Sequence, residues 1–143
     1  MEPSPFPHRL GSTLELAERA TLTVELTNLR NRQGVVCVAL FNHPDGYPNT
    51  AAKATRSSCF EISDIPLIIT FPDLPWGYYA AAAHHDENQD GQLNCNAFGI
   101  PKEGIGFSSN PPIWKGVPPF QHAAFELCPD QTVVSITMKY LLR

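Results

Sequence analysis

Residues 85–96, His85-Asp86-Glu87-Asn88-Gln89-Asp90-Gly91-Gln92-Leu93-Asn94-Cys95-Asn96, set oxygen-bearing side chains at alternate positions around one glycine. A cation loop of the EF-hand type takes ligands from positions one, three, five, seven and nine, with glycine at six for the sharp turn. Counting from Asp86 gives Asp86, Asn88 and Asp90, then the Gly91 turn, the carbonyl of Gln92, and Asn94. Position twelve is Ala97, where such a loop needs a bidentate glutamate. Glu103 is the candidate to supply that carboxylate, because a chain returning through Gly99-Ile100-Pro101 can bring it back. With two certain carboxylates the expected ion is calcium, held with a Kd on the order of 10⁻⁴ to 10⁻³ M. Asp and Asn at these positions also make ion-free turns, through side-chain to backbone hydrogen bonds. The spacing leaves both readings open.

Other chemistry is less well supplied. His84 and His85 are neighbours in a strand-length segment, so they point to opposite faces and do not serve one metal together. His84 shares a face with Asp86. Zinc needs three or four converging N, S or O ligands, and with His122 as the other histidine in reach, a zinc site is not expected. His85 is read as a partly buried histidine that hydrogen-bonds the loop backbone and fixes its entry angle. Ser108 or Ser109 with His85 and Asp86 could be written as a triad. It fails because a base and its orienting carboxylate must face each other, and consecutive strand residues do not. Gly104-Ile105-Gly106-Phe107-Ser108 lacks the third glycine of a dinucleotide fingerprint and the context of a nucleophile elbow. No enzyme is expected.

Cys37, Cys59, Cys95 and Cys128 show no C-x-x-C spacing, which argues against structural zinc. Cys37 with Cys59 is the preferred disulfide, since both lie in the first half and flank a connection between plausible neighbouring strands. Cys95, inside the proposed metal loop, is expected to stay unpaired.

The elements that must position these residues are strands. At 143 residues, with 43% hydrophobic and 17% charged, the chain is globular in composition and of single-domain length. A net charge of -4 and the lack of any Lys/Arg cluster argue against nucleic acid. No apolar run reaches the ~20 residues of a membrane helix, and Met1 to Ala20 has no signal-peptide core. Residues 1–20 read as a loose arm, with a capping box at Ser12-Thr13-Leu14-Glu15. Residues 21–143 read as one domain. Leu22, Val24 and Leu26 alternate with polar residues, Val35 to Phe41 is β-branched and apolar, and Asn31 to Gly34 between them suggests a hairpin. Ser58 to Ile62, Pro66 to Phe71, Tyr78 to His85, His122 to Leu127 and Thr132 to Leu141 complete about seven strands, and Gly91 to Pro119 is read as one long structured loop. Such a pattern predicts an all-β, two-sheet antiparallel β-sandwich.

Nearly everything after Thr21 resembles the secreted bacterial proteins of the domain of unknown function family 2141. The resemblance rests on Gly34-Val35-Val36-Cys37-Val38-Ala39-Leu40-Phe41, Asp73-Leu74-Pro75-Trp76-Gly77-Tyr78-Tyr79-Ala80, His85-Asp86-Glu87-Asn88, and Gly99 through Ser108. It implies an extracytoplasmic sandwich, immunoglobulin-like or prealbumin-like, with no assigned activity. This chain departs from the family pattern at His84, where an apolar residue is usual, and at Asn94, where aspartate is usual.

The expectation is therefore a non-catalytic extracytoplasmic module, a monomer whose calcium-type loop orders one end. The alternatives are a small-molecule or glycan-binding module using Phe98, Phe107 and Trp114, and a metal-dependent enzyme with an open coordination position in a pocket. Those aromatics either form a small core beneath the long loop or an exposed binding edge.

Overall fold

The computed structural model describes residues 18–91, 102–113 and 116–141. The N-terminal arm to residue 17, and Gln92, Asn94, Cys95, Phe98 and Trp114, lie outside them. Among the described residues eight strands, β1 (Arg19–Thr27), β2 (Val35–Phe41), β3 (Arg56–Glu61), β4 (Leu67–Pro75), β5 (Gly77–Asp86), β6 (Gly104–Phe107), β7 (Phe125–Leu127) and β8 (Val133–Thr137), are accompanied by a 3-10 turn (Ala51–Lys53) and one short helix, α1 (Phe120–Ala123). They form a sheet of order β4-β1-β8 facing a second of order β3-β2-β5-β6, with β7 on β5 as well. This is the expected all-β sandwich. One pairing departs from the antiparallel expectation, since β8 runs parallel to β1 from Thr23↔Val133 to Thr27↔Thr137. Among the described residues no helix is long and apolar enough to cross a membrane.

Alternation places the core. Leu22, Val24 and Leu26 of β1 are fully buried, and they meet Val36, Val38 and Leu40 of β2 across the space between the sheets. That meeting overturns the predicted β1–β2 hairpin. β1 pairs with β4 and β8, whereas β2 pairs with β3 and β5. Each strand has one apolar face, and two such faces are removed from water more completely when stacked than when placed side by side. The link from Asn28 to Gly34 therefore crosses the end of the sandwich. Asn28 turns it at φ 67 and donates its amide to the Met138 carbonyl at 2.7 Å.

The alanines of β5 explain how a second layer fits. Ala81 and Ala83 join the main core, while Ala80 and Ala82 face outward beneath Ile105, Phe107, Ile113, Ala123, Tyr47 and Phe120. Strand burial on both faces has overridden the helical propensity of alanine.

Two further corrections fall in the segment read as one long loop and in the strand after it. β6 lies within the loop and pairs with β5 from Ala82↔Phe107 to His85↔Gly104. Its glycines hid it, because the inner face has no room for side chains. A Cβ on Gly104 would run into the Tyr140 ring, and one on Gly106 would meet Ile136 and Met138. The predicted strand from His122 begins only at Phe125, after α1 has brought Phe120 and Ala123 onto the outer cluster.

Candidate functional site

Strand β5 ends in His84, His85 and Asp86, and the pleat separates them as period two requires. His85 points inward and is fully buried. Its Nε2 lies 2.7 Å from the Gln33 carbonyl and its Nδ1 2.9 Å from the Tyr140 hydroxyl. A carbonyl only accepts, so Nε2 carries the hydrogen and Nδ1 accepts from Tyr140. His85 thus ties the Gln33 backbone to the last strand segment.

His84 and Asp86 point outward, toward Glu103. Glu103 stands just before β6, and the register His85↔Gly104 returns it to the end of β5. Its Oε1 is 3.0 Å from His84 Nε2, and its Oε2 accepts the Glu87 backbone N–H at 2.9 Å. Asp86 is likewise held by backbone donors, with Asp90 N–H at 3.2 Å on Oδ1 and Gly91 N–H at 2.8 Å on Oδ2. Gly91 sits at φ +75, a conformation that favours glycine. Asp86 and Glu103 are 2% and 5% exposed, and one ligand atom from each of His84, Asp86 and Glu103 lies within 4.8 Å of the others. Buried charges of like sign must be paired, neutralised or bound to a cation.

Of the predicted metal ligands, the structure brings Asp86 and Glu103 together. Asn88 and Asp90 are exposed and bond to one another, Nδ2 to Oδ2 at 3.3 Å, with Asn88 Oδ1 accepting the Asp90 N–H. Gln92 and Asn94 lie outside the described residues. Glu87 takes part in a separate contact. Arg30 holds it through Nε to Oε2 at 2.9 Å and Nη2 to Oε1 at 2.8 Å, and Asn31 adds 2.8 Å to Oε2. The Arg30 bonds, reinforced by Asn31 and opposed by burial, hold the Glu87 carboxyl down at about 2. Arg30 also stacks over Tyr140, 4.5 Å from the ring centroid.

The sequence reading gave Arg30, Asn31 and Tyr140 no role at this site, since no local pattern connects them to the loop. For His84 there was a signal, its shared face with Asp86, but the return of Glu103 to both was needed to make it count.

A groove of about 520 Å³ opens beside this cluster. Its floor is the outer face of β2, β3 and β5, including Ala39, Ser57, Ala82 and the Cys37–Cys59 disulfide, and His84 and Asp86 line it too. Cys37 and Cys59 are direct cross-strand partners, as expected. Among the described residues Cys128 has no disulfide partner, and Cys95 lies outside them. Phe107 is 5% exposed and belongs to the outer apolar cluster, so it forms no exposed aromatic edge. Ser108 is fully buried, donating from Oγ to the Ala123 carbonyl at 2.5 Å and accepting the Ala81 N–H at 2.8 Å.

A family model described as "Uncharacterized protein conserved in bacteria (DUF2141)" matches residues 24–135. No curated protein and no solved structure matches the chain.

Proposed function

For this chain, which belongs to the uncharacterized bacterial family DUF2141, we propose a non-catalytic extracytoplasmic β-sandwich module whose Asp86 loop is ordered by a divalent cation. The observation that carries the reading is the return of Glu103 to Asp86, which supplies the acid missing from position twelve. Oxygen donors from Asp86 and Glu103 suit calcium, with Asn88 and Asp90 close in sequence to complete its six to eight ligands. The Cys37–Cys59 disulfide supports an oxidising compartment. The non-catalytic reading is supported by the commitment of Ser108 and His85 to structural hydrogen bonds, on partners remote from one another.

Thermal melting of the full chain tests the cation. Calcium at about a hundredfold excess over Kd adds roughly 2.7 kcal/mol and raises the melting temperature by about 5 to 10 °C. Magnesium does less, because it dehydrates reluctantly. Asp86→Ala and Glu103→Ala each remove the shift. A wild-type curve unmoved by calcium would leave the loop an ion-free turn.

A further inference from the structure

We infer that the seat formed by Asp86 and Glu103 takes His84 Nε2 as a third donor, and therefore holds a transition-metal ion of the zinc class more tightly than calcium. The inference rests on the proposed cation reading and deepens it by naming the ion.

Three observations carry it. The first is donor chemistry. An imidazole nitrogen suits zinc and its neighbours, whereas calcium takes oxygen, so a histidine beside two carboxylates biases the choice. His84 was set aside in the sequence for lack of a third ligand, and Glu103 provides it.

The second is spacing and support. Ligands at ~2.1 Å from a tetrahedral ion stand about 3.4 Å apart. His84 Nε2 and Glu103 Oε1 are 3.0 Å apart, and the Asp86 carboxylate lies within 4.8 Å of both. A small outward movement of His84 and Glu103 would admit the ion. The N–H groups of Glu87, Asp90 and Gly91 hold both carboxylates in place. Each carboxylate oxygen has a second lone pair to give, so this outer shell orients the ligands without consuming them.

The third is charge and access. Asp86 and Glu103, at 5% exposure or less, set two carboxylates side by side out of water, an arrangement that a divalent ion suits. His84 and Asp86 also line the 520 Å³ groove, which gives the ion a path from solvent.

Titration calorimetry with Zn²⁺ and, separately, Ca²⁺ tests this on the full chain, with a melting curve taken for each variant. The wild-type protein should bind one Zn²⁺ at the seat more tightly than Ca²⁺. Loss of outer-shell partners alone costs about 10 to 100-fold in metal affinity, so His84→Ala should weaken Zn²⁺ by about a hundredfold or more while changing Ca²⁺ affinity little. His84→Gln retains a hydrogen-bond donor toward Glu103 without the imidazole, and should lose Zn²⁺ affinity in the same way while remaining folded. Asp86→Asn should weaken both ions. Zn²⁺ affinity unchanged in both His84 variants, or Ca²⁺ bound more tightly than Zn²⁺ by the wild type, would overturn the inference and leave the cation reading standing. Binding of neither ion would overturn both.

Discussion

Arg30 and Glu87, far apart in sequence, form a bidentate pair at 2.8 and 2.9 Å that joins the β1–β2 crossing to the start of the acidic loop. The Glu87 side chain is 18% exposed and that of Arg30 30%, so the pair is partly open to water. Two parallel bonds to one carboxylate also fix direction, as a single bond does not.

The pair makes stability depend on acid. Glu87 ionises at about 2 when folded, against an ordinary value of 4.5. A lowered carboxylate pKa contributes stability that is present above the unfolded value and is lost as pH falls through the folded one. The loss should run from about pH 4.5 down to 2 and amount to at most about 3 kcal/mol. Arg30 is exposed, so solvent screening discounts the pair, and in Arg30→Ala denaturant melts at pH 7 should show a loss of about 1 kcal/mol, with a flatter dependence on pH in this window. An unchanged acid profile in that variant would place the acid sensitivity elsewhere.

Tyr47 should be better replaced by phenylalanine. Its ring packs edge-on against Phe41 and Phe120, at 5.6 and 5.7 Å between centroids. Its hydroxyl is buried with no hydrogen-bond partner among the described residues, and burial pushes its pKa up to about 12. A buried polar group left unsatisfied costs about 1 to 3 kcal/mol. Tyr47→Phe should therefore raise stability by about 1 kcal/mol in urea titration, and a clear loss would reveal a partner for the hydroxyl.

The Cys37–Cys59 bridge closes a sequence separation of 22 residues. Loop-closure entropy for a separation of that size corresponds to about 3 kcal/mol. The Cys37→Ala/Cys59→Ala protein should lose roughly that amount in chemical denaturation while keeping its strand-type circular dichroism. Equal stability of the two forms would mean that the bridge adds nothing beyond the β2–β3 pairing.

Alternation along β1 and the last strand, with the β-branched run of β2, determined the fold class from the sequence alone, because a strand with one buried face must repeat every two residues. The spacing around Gly91 likewise marked Asp86 as the residue on which the loop turns. Glu103 was legible as a candidate from its chemistry, and Cys37 with Cys59 from its position between neighbouring strands. What the tertiary structure decided is everything that depends on contacts between distant segments. Stacking of apolar faces sent β2 to the opposite sheet from β1, and so carried Arg30 and Gln33 to Glu87 and His85. Tyr140 and Met138 excluded side chains from the inner face of β6, so a strand was written in glycines and read as a loop. The register of β6 on β5 then set Glu103 against His84 and Asp86. A local pattern can name residue types and faces, but which carboxylate meets which imidazole is settled by strand pairing, and that follows from the packing of the whole core.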